Sequence, residues 1–141
     1  MQRRIGFTLI ELVVVVMILG ILVAIAAPKM VNIMGDATDN SARQTLNAIR
    51  DAIETYASQH SGDYPPGDTE ANFRSAVEEF LRGPFPKCPV GSGDDTVTFG
   101  SGTSPMSADD LSSWKYNPDN GEFIINSTDL SEDGSTAYGD W

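Results

Sequence analysis

Residues 7–27 read FTLIELVVVVMILGILVAIAA, and this stretch from Phe7 to Ala27 decides what kind of chain this is. At the helical rise its length corresponds to roughly 30 Å, enough to cross a bilayer core. Valine and isoleucine are numerous, yet backbone in lipid must satisfy its own hydrogen bonds, so the run is expected to be helical. No charged residue occurs from Leu12 to Pro28. Upstream, Arg3 and Arg4 form a basic flank that stays cytoplasmic, which places the C-terminal part outside. Two readings share that orientation. One is a secretory signal peptide, with Ala24, Ala26 and Ala27 as small residues for a cleavage site. The other is a retained single-pass membrane helix.

Glu11 separates the two. An acidic side chain at the centre of an apolar span costs on the order of 2.5–3.5 kcal/mol by insertion scales, and less near the interface. A signal peptide has no use for such a group. A carboxylate in this place is a functional residue by default, and it needs a cationic partner. Arg3 and Arg4 lie toward the cytoplasm; a free amino group created at the top of the helix is better placed.

The run Gly6-Phe7-Thr8-Leu9-Ile10-Glu11-Leu12, after a short basic leader, resembles the cleavage and methylation signature of type IV prepilins and pseudopilins. The resemblance is close over about the first thirty residues and concerns only layout beyond them. It implies that a prepilin peptidase cuts between Gly6 and Phe7 and N-methylates the new terminus at Phe7. Glycine suits the cut because a protease threads extended backbone, and glycine has neither a side chain nor a helical commitment. Phe7 and Glu11 are four apart and share a helix face. The carboxylate then lies in the first turn of the mature helix, where the dipole favours negative charge. It can neutralise its own terminus or that of a neighbouring subunit. Such pairing sets the axial register of a polymer, because an unpaired charge in an apolar core is costly.

Pro28 closes the apolar run, as a kink at the membrane exit or a point where the helix unwinds. Beyond it, Ala42, Leu46, Ile49, Ile53 and Tyr56 recur at helical spacing, so one helix of about fifty residues is expected. Residues 61–67 are turn-rich, and Thr69 is placed to cap a short helix over Glu70–Arg82 stopped by Gly83. Three prolines exclude regular structure from 83–89. Strands are expected at Thr96–Phe99, Ser113–Tyr116 and Glu122–Asn126, the last two joined as a hairpin through Asn117–Gly121. Trp114, Tyr116, Phe123 and Ile125 supply the inner face. The Asn126-Ser127-Thr128 sequon reads as incidental.

The formal net charge is -11, and the acidic excess sits late: after Cys88 the chain carries ten acidic residues and one basic residue, Lys115. That surface repels phosphate backbones, so no nucleic-acid partner is expected. Cys88 is the single cysteine, which excludes an intrachain disulfide and leaves a structural zinc site short of ligands. No HExxH motif, phosphate-cradling glycine loop or nucleophile–base spacing occurs, so an enzyme is not expected. The tail, residues 129–141, is dense in oxygen donors. It resembles the calcium loop of major pseudopilins at Asp133-Gly134 and more loosely at Asp140, which implies a Ca2+ site; the other reading is a frayed acidic tail.

The expected fold is therefore α+β and pilin-like: a long N-terminal helix on a small antiparallel sheet, with one short extra helix. The expected segments are a leader, 1–6, removed on processing; a membrane-spanning part, 7–28; and an extracytoplasmic globular domain, 29–141. The resemblance implies a structural subunit of a type II secretion pseudopilus. Its partners would be further copies, other pilin-like subunits, the prepilin peptidase and an inner-membrane assembly platform. A type IV pilin, or a membrane-anchored binding protein that borrows the signal, are the other readings.

Overall fold

The first strongly periodic element is also the longest. In the computed structural model, which describes residues 7–141 apart from the side chains of residues 28, 29, 31 and 32, α1 runs over Leu9–Gln59. Its 51 residues agree with the single long helix expected from the sequence. The chain divides into two compact units, Met1–Gly35 and Asp36–Trp141, each described here by itself.

In the first unit the span Leu9–Ala27 has a mean hydropathy of 3.1 and buries none of its side chains within the fold. It is long and apolar enough to cross a membrane. Pro28 lies within α1, where the helical assignment continues through it.

In the second unit one face of α1 carries the core. Ala42, Leu46, Ile49, Ala52 and Ile53 are buried, and their spacing of three and four residues is what aligns them. Tyr56, at the end of the stripe, is half-buried and stacks on His60 with ring centroids 3.8 Å apart. A second helix, α2, covers Glu70–Glu78 and begins as expected: Asn72 N donates to the Thr69 hydroxyl. It stops before Arg82, the end expected from the sequence. Phe80 N and Leu81 N donate to the carbonyls of Val77 and Glu78, bonds that tighten the last turn, and the Glu78 carboxylate accepts from Phe85 N at 2.8 Å. Local hydrogen bonding thus ends α2 ahead of Gly83.

The sheet has three short strands, β1 (Val97–Phe99), β2 (Trp114–Tyr116) and β3 (Phe123–Ile125), in that spatial order. The β2–β3 hairpin is antiparallel as expected, with Trp114 opposite Ile125 and Tyr116 opposite Phe123. β1 corrects the expectation of an antiparallel sheet throughout. It pairs parallel to β2, Val97 against Trp114, so the sheet is mixed. The physical reason is connection length. Residues 100–113 between β1 and β2 are long enough for the crossover that parallel strands require, whereas six residues join β2 to β3.

Phe73 of α2 stands at the centre, fully buried, with its ring centroid 4.3 Å from Tyr116, 5.9 Å from Phe85 and 6.0 Å from Phe123. The polar ends of two core aromatics fasten irregular segments. Tyr116 Oη donates to the Pro65 carbonyl at 2.8 Å, and Trp114 Nε1 donates to that of Pro86 at 3.2 Å. Cys88 is buried, and loss of solvent pushes its thiol up to about 11, so it behaves as a small apolar side chain.

Candidate assembly site on the N-terminal helix

The start of α1 is built by two side chains. Thr8 is the residue before the helix, and its hydroxyl accepts from Glu11 N at 3.3 Å. Glu11 reaches back: its Oε2 accepts from Thr8 N at 2.9 Å and from Thr8 Oγ1 at 2.8 Å. This reciprocal arrangement is a capping box, which satisfies amide donors that the first helical turn leaves without partners. The sequence reading gives Glu11 a cationic partner and a favourable place in the helix dipole, but not the bond back to Thr8. The Thr-x-x-Glu spacing ahead of an apolar run was the signal that would have revealed the cap.

Both bonds to the carboxylate fall on Oε2. Oε1 has no hydrogen-bond partner among the described residues. Phe7, Ile10, Glu11, Val14 and Val15 line a shallow groove of about 370 Å³ along this face. Phe7 is 83% exposed, and every large apolar side chain described between Phe7 and Ile25 is exposed as well. The site therefore offers one carboxylate, with one oxygen unengaged among the described residues, set in an apolar surface. Such a surface can be covered by lipid or by another helix, and its carboxylate can accept from an ammonium group. Gly6 and the rest of the leader 1–6 lie outside the described residues, as does the Pro28 side chain.

The tail candidates are not brought together. Asp133 Oδ1 accepts from Ser131 Oγ at 2.6 Å and from Ser135 N and Oγ at 2.9 and 2.7 Å. The Ser131 hydroxyl, followed by Ser135, holds the Asp133 carboxyl down at about 2. Asp140 lies in a 3-10 turn over Tyr138–Asp140. Among the described residues, no three acidic, histidine or cysteine side chains converge as metal ligands. Oδ1 of Asp133 is thus taken up by hydroxyl and amide donors of its own loop. The tail is not frayed: Tyr138 is buried in the core, and Leu130 bridges to Ala137. Asn126 of the sequon is 2% exposed, with its amide nitrogen donating to Asp109 and Ser112.

Comparison with known proteins agrees with the N-terminal reading. The prokaryotic N-terminal methylation motif matches residues 1–27. The type IV narrow pilus major component PilA5 of Thermus thermophilus is 43% identical over 61 residues, which cover 43% of this chain and 53% of that protein. The type II secretion system core protein G of Pseudomonas aeruginosa is 37% identical over 89 residues, 62% of this chain and 61% of that protein. The prepilin peptidase-dependent protein D of Escherichia coli is 42% identical over 62 residues, 44% and 42% of the two chains. The chain thus spans less than two thirds of each of these relatives. No solved structure matches it. With this motif at residues 1–27, an apolar helix behind it and pilin-like relatives, the chain carries the N-terminal signature of the type IV prepilin and pseudopilin family.

Proposed function

We propose that the chain is a structural subunit of a type II secretion pseudopilus, a building block rather than an enzyme. It is cut after Gly6, methylated at Phe7 and held in the bacterial inner membrane by residues 7–28, with residues 29–141 outside. From an inner-membrane platform it joins further copies and other pilin-like subunits in a helical filament that drives protein secretion. The observation that carries this reading is Glu11: a carboxylate with one oxygen unengaged among the described residues, in an exposed apolar surface. In the filament the terminal ammonium of a neighbour occupies that oxygen, and the pairing sets the axial register. Pro28 gives the helix a place to bend or unwind as it packs.

The pseudopilus reading is favoured by the 89-residue similarity to the secretion core protein G. The similarity to the pilus component of Thermus favours a second reading, a true type IV pilin. Deleting the gene in its source organism separates the two. Loss of protein export with surface pili retained supports the first; loss of surface pili with export retained supports the second.

A further inference from the structure

The sequence left segment 129–141 as either a calcium loop or a frayed acidic tail, yet its contacts converge on α1. Asp39 accepts two hydrogen bonds from it, one on each carboxylate oxygen: Tyr138 Oη donates to Oδ1 at 2.7 Å and Glu132 N donates to Oδ2 at 3.1 Å. The Arg43 guanidinium lies over the Trp141 ring, 3.6 Å from its centroid. Arg50 donates through Nη2 to the Trp141 carbonyl at 2.8 Å and through Nε to the Phe123 carbonyl of β3 at 2.9 Å. These three residues are spaced four and seven apart, which puts them along one side of the helix.

We propose that residues 129–141 form a strap that Asp39, Arg43 and Arg50 lock onto α1, so that it closes without a divalent cation. The segment carries Asp129, Glu132, Asp133 and Asp140. Arg43 brings positive charge near Asp133, and Arg50 holds the end of the strap at the Trp141 carbonyl. Hydrogen bonds to charged partners are about twice as strong as neutral ones, and a cation over an indole face adds to them where water is partly excluded. The strap also lies close on the sheet. Gly139 N donates to the Ser127 carbonyl at 3.0 Å, and a Cβ on Gly139 would stand 2.7 Å from that of Ala108. Through Arg50, one side chain joins α1, β3 and the strap.

The test uses the full chain in detergent micelles. Limited proteolysis, read by mass, follows cleavage within 129–141 in chelator and in millimolar calcium. The proposal predicts equally slow cleavage in both. Asp39→Ala and Arg50→Ala each raise strap cleavage on the order of tenfold or more, the factor that matches a lost hydrogen bond to a charged group. Arg50→Lys recovers part of the protection, because one ammonium reaches one carbonyl better than two. Arg74→Ala, which breaks contacts to Glu70 and Asp95 away from the strap, lowers melting without selective strap cleavage. Should the Asp39 or Arg50 variant fail to fold, Arg43→Gln at its exposed position reads the same rate, with an expected rise of severalfold. Rapid strap cleavage in chelator that calcium suppresses would overturn the proposal, as would unchanged cleavage in variants that fold.

Discussion

Leu9–Ala27 and Asp36–Trp141 meet the same physical demand, the covering of apolar surface, in opposite ways. In the first, the described apolar side chains are exposed. In the second, Phe73, Trp114, Tyr116 and Phe123 are almost completely buried around one another. The difference locates the free energy. On the proposed function, lipid or other helices stabilise the first segment, whereas the second is stabilised by its own core.

Substitutions that damage one region and spare the other sharpen this contrast. The largest expected effect is on assembly. Glu11→Val leaves membrane insertion and domain melting unchanged and reduces filament yield on the order of tenfold or more, since removing one partner of a buried charge pair costs about 2–5 kcal/mol. Fractionation and sheared-filament yield measure the two halves of that statement. Thr8→Ala removes the cap but keeps the carboxylate, with a loss of about 1 kcal/mol of helix-start stability and a smaller assembly defect. Equal defects in the two variants would assign Glu11 to capping alone.

Next in size is the core. Phe73→Ala is expected to destabilise the domain by about 3–5 kcal/mol, read by thermal melting, while the anchor still inserts. Gly121→Ala follows at on the order of 1–3 kcal/mol. Its φ of +75° is strained for alanine, and the added Cβ would fall 2.3 Å from the Tyr64 ring. Adding Tyr64→Ala relieves the collision and leaves the backbone strain.

The smallest effect is the response to acid. Lys115, then Asn126, holds the Asp109 carboxyl down at about 2. Its folded pKa lies below the unfolded value of about 3.9, so this contribution is present above that value. It is lost as pH falls from about 4 through about 2. Asp109→Asn should flatten this part of the pH–melting curve, and an unchanged slope would remove Asp109 from the account.

The same contrast explains what the sequence disclosed. The apolar helix was legible because its signal is local: one uninterrupted apolar run behind one short motif. The long helix and the β2–β3 hairpin were legible through periodicity and turn residues. Missed were features that depend on partners far along the chain. β1 pairs parallel because of where the 100–113 connection leads, which no residue within β1 announces. The tail reads from its own residues as an ion loop or a frayed acidic end, because Asp39, Arg43 and Arg50, which hold it, lie about ninety residues earlier. The capping box is local as well, and the Thr8-x-x-Glu11 spacing ahead of an apolar run is its signal.

The central claim, a processed and membrane-anchored filament subunit, is tested most directly by intact-mass and N-terminal peptide analysis of the protein from its own membranes. The account predicts a chain that starts at Phe7 and carries one added methyl group. A chain that starts after Ala26 or Ala27 would contradict it, making the apolar run a discarded signal peptide and leaving Glu11 without a role in assembly.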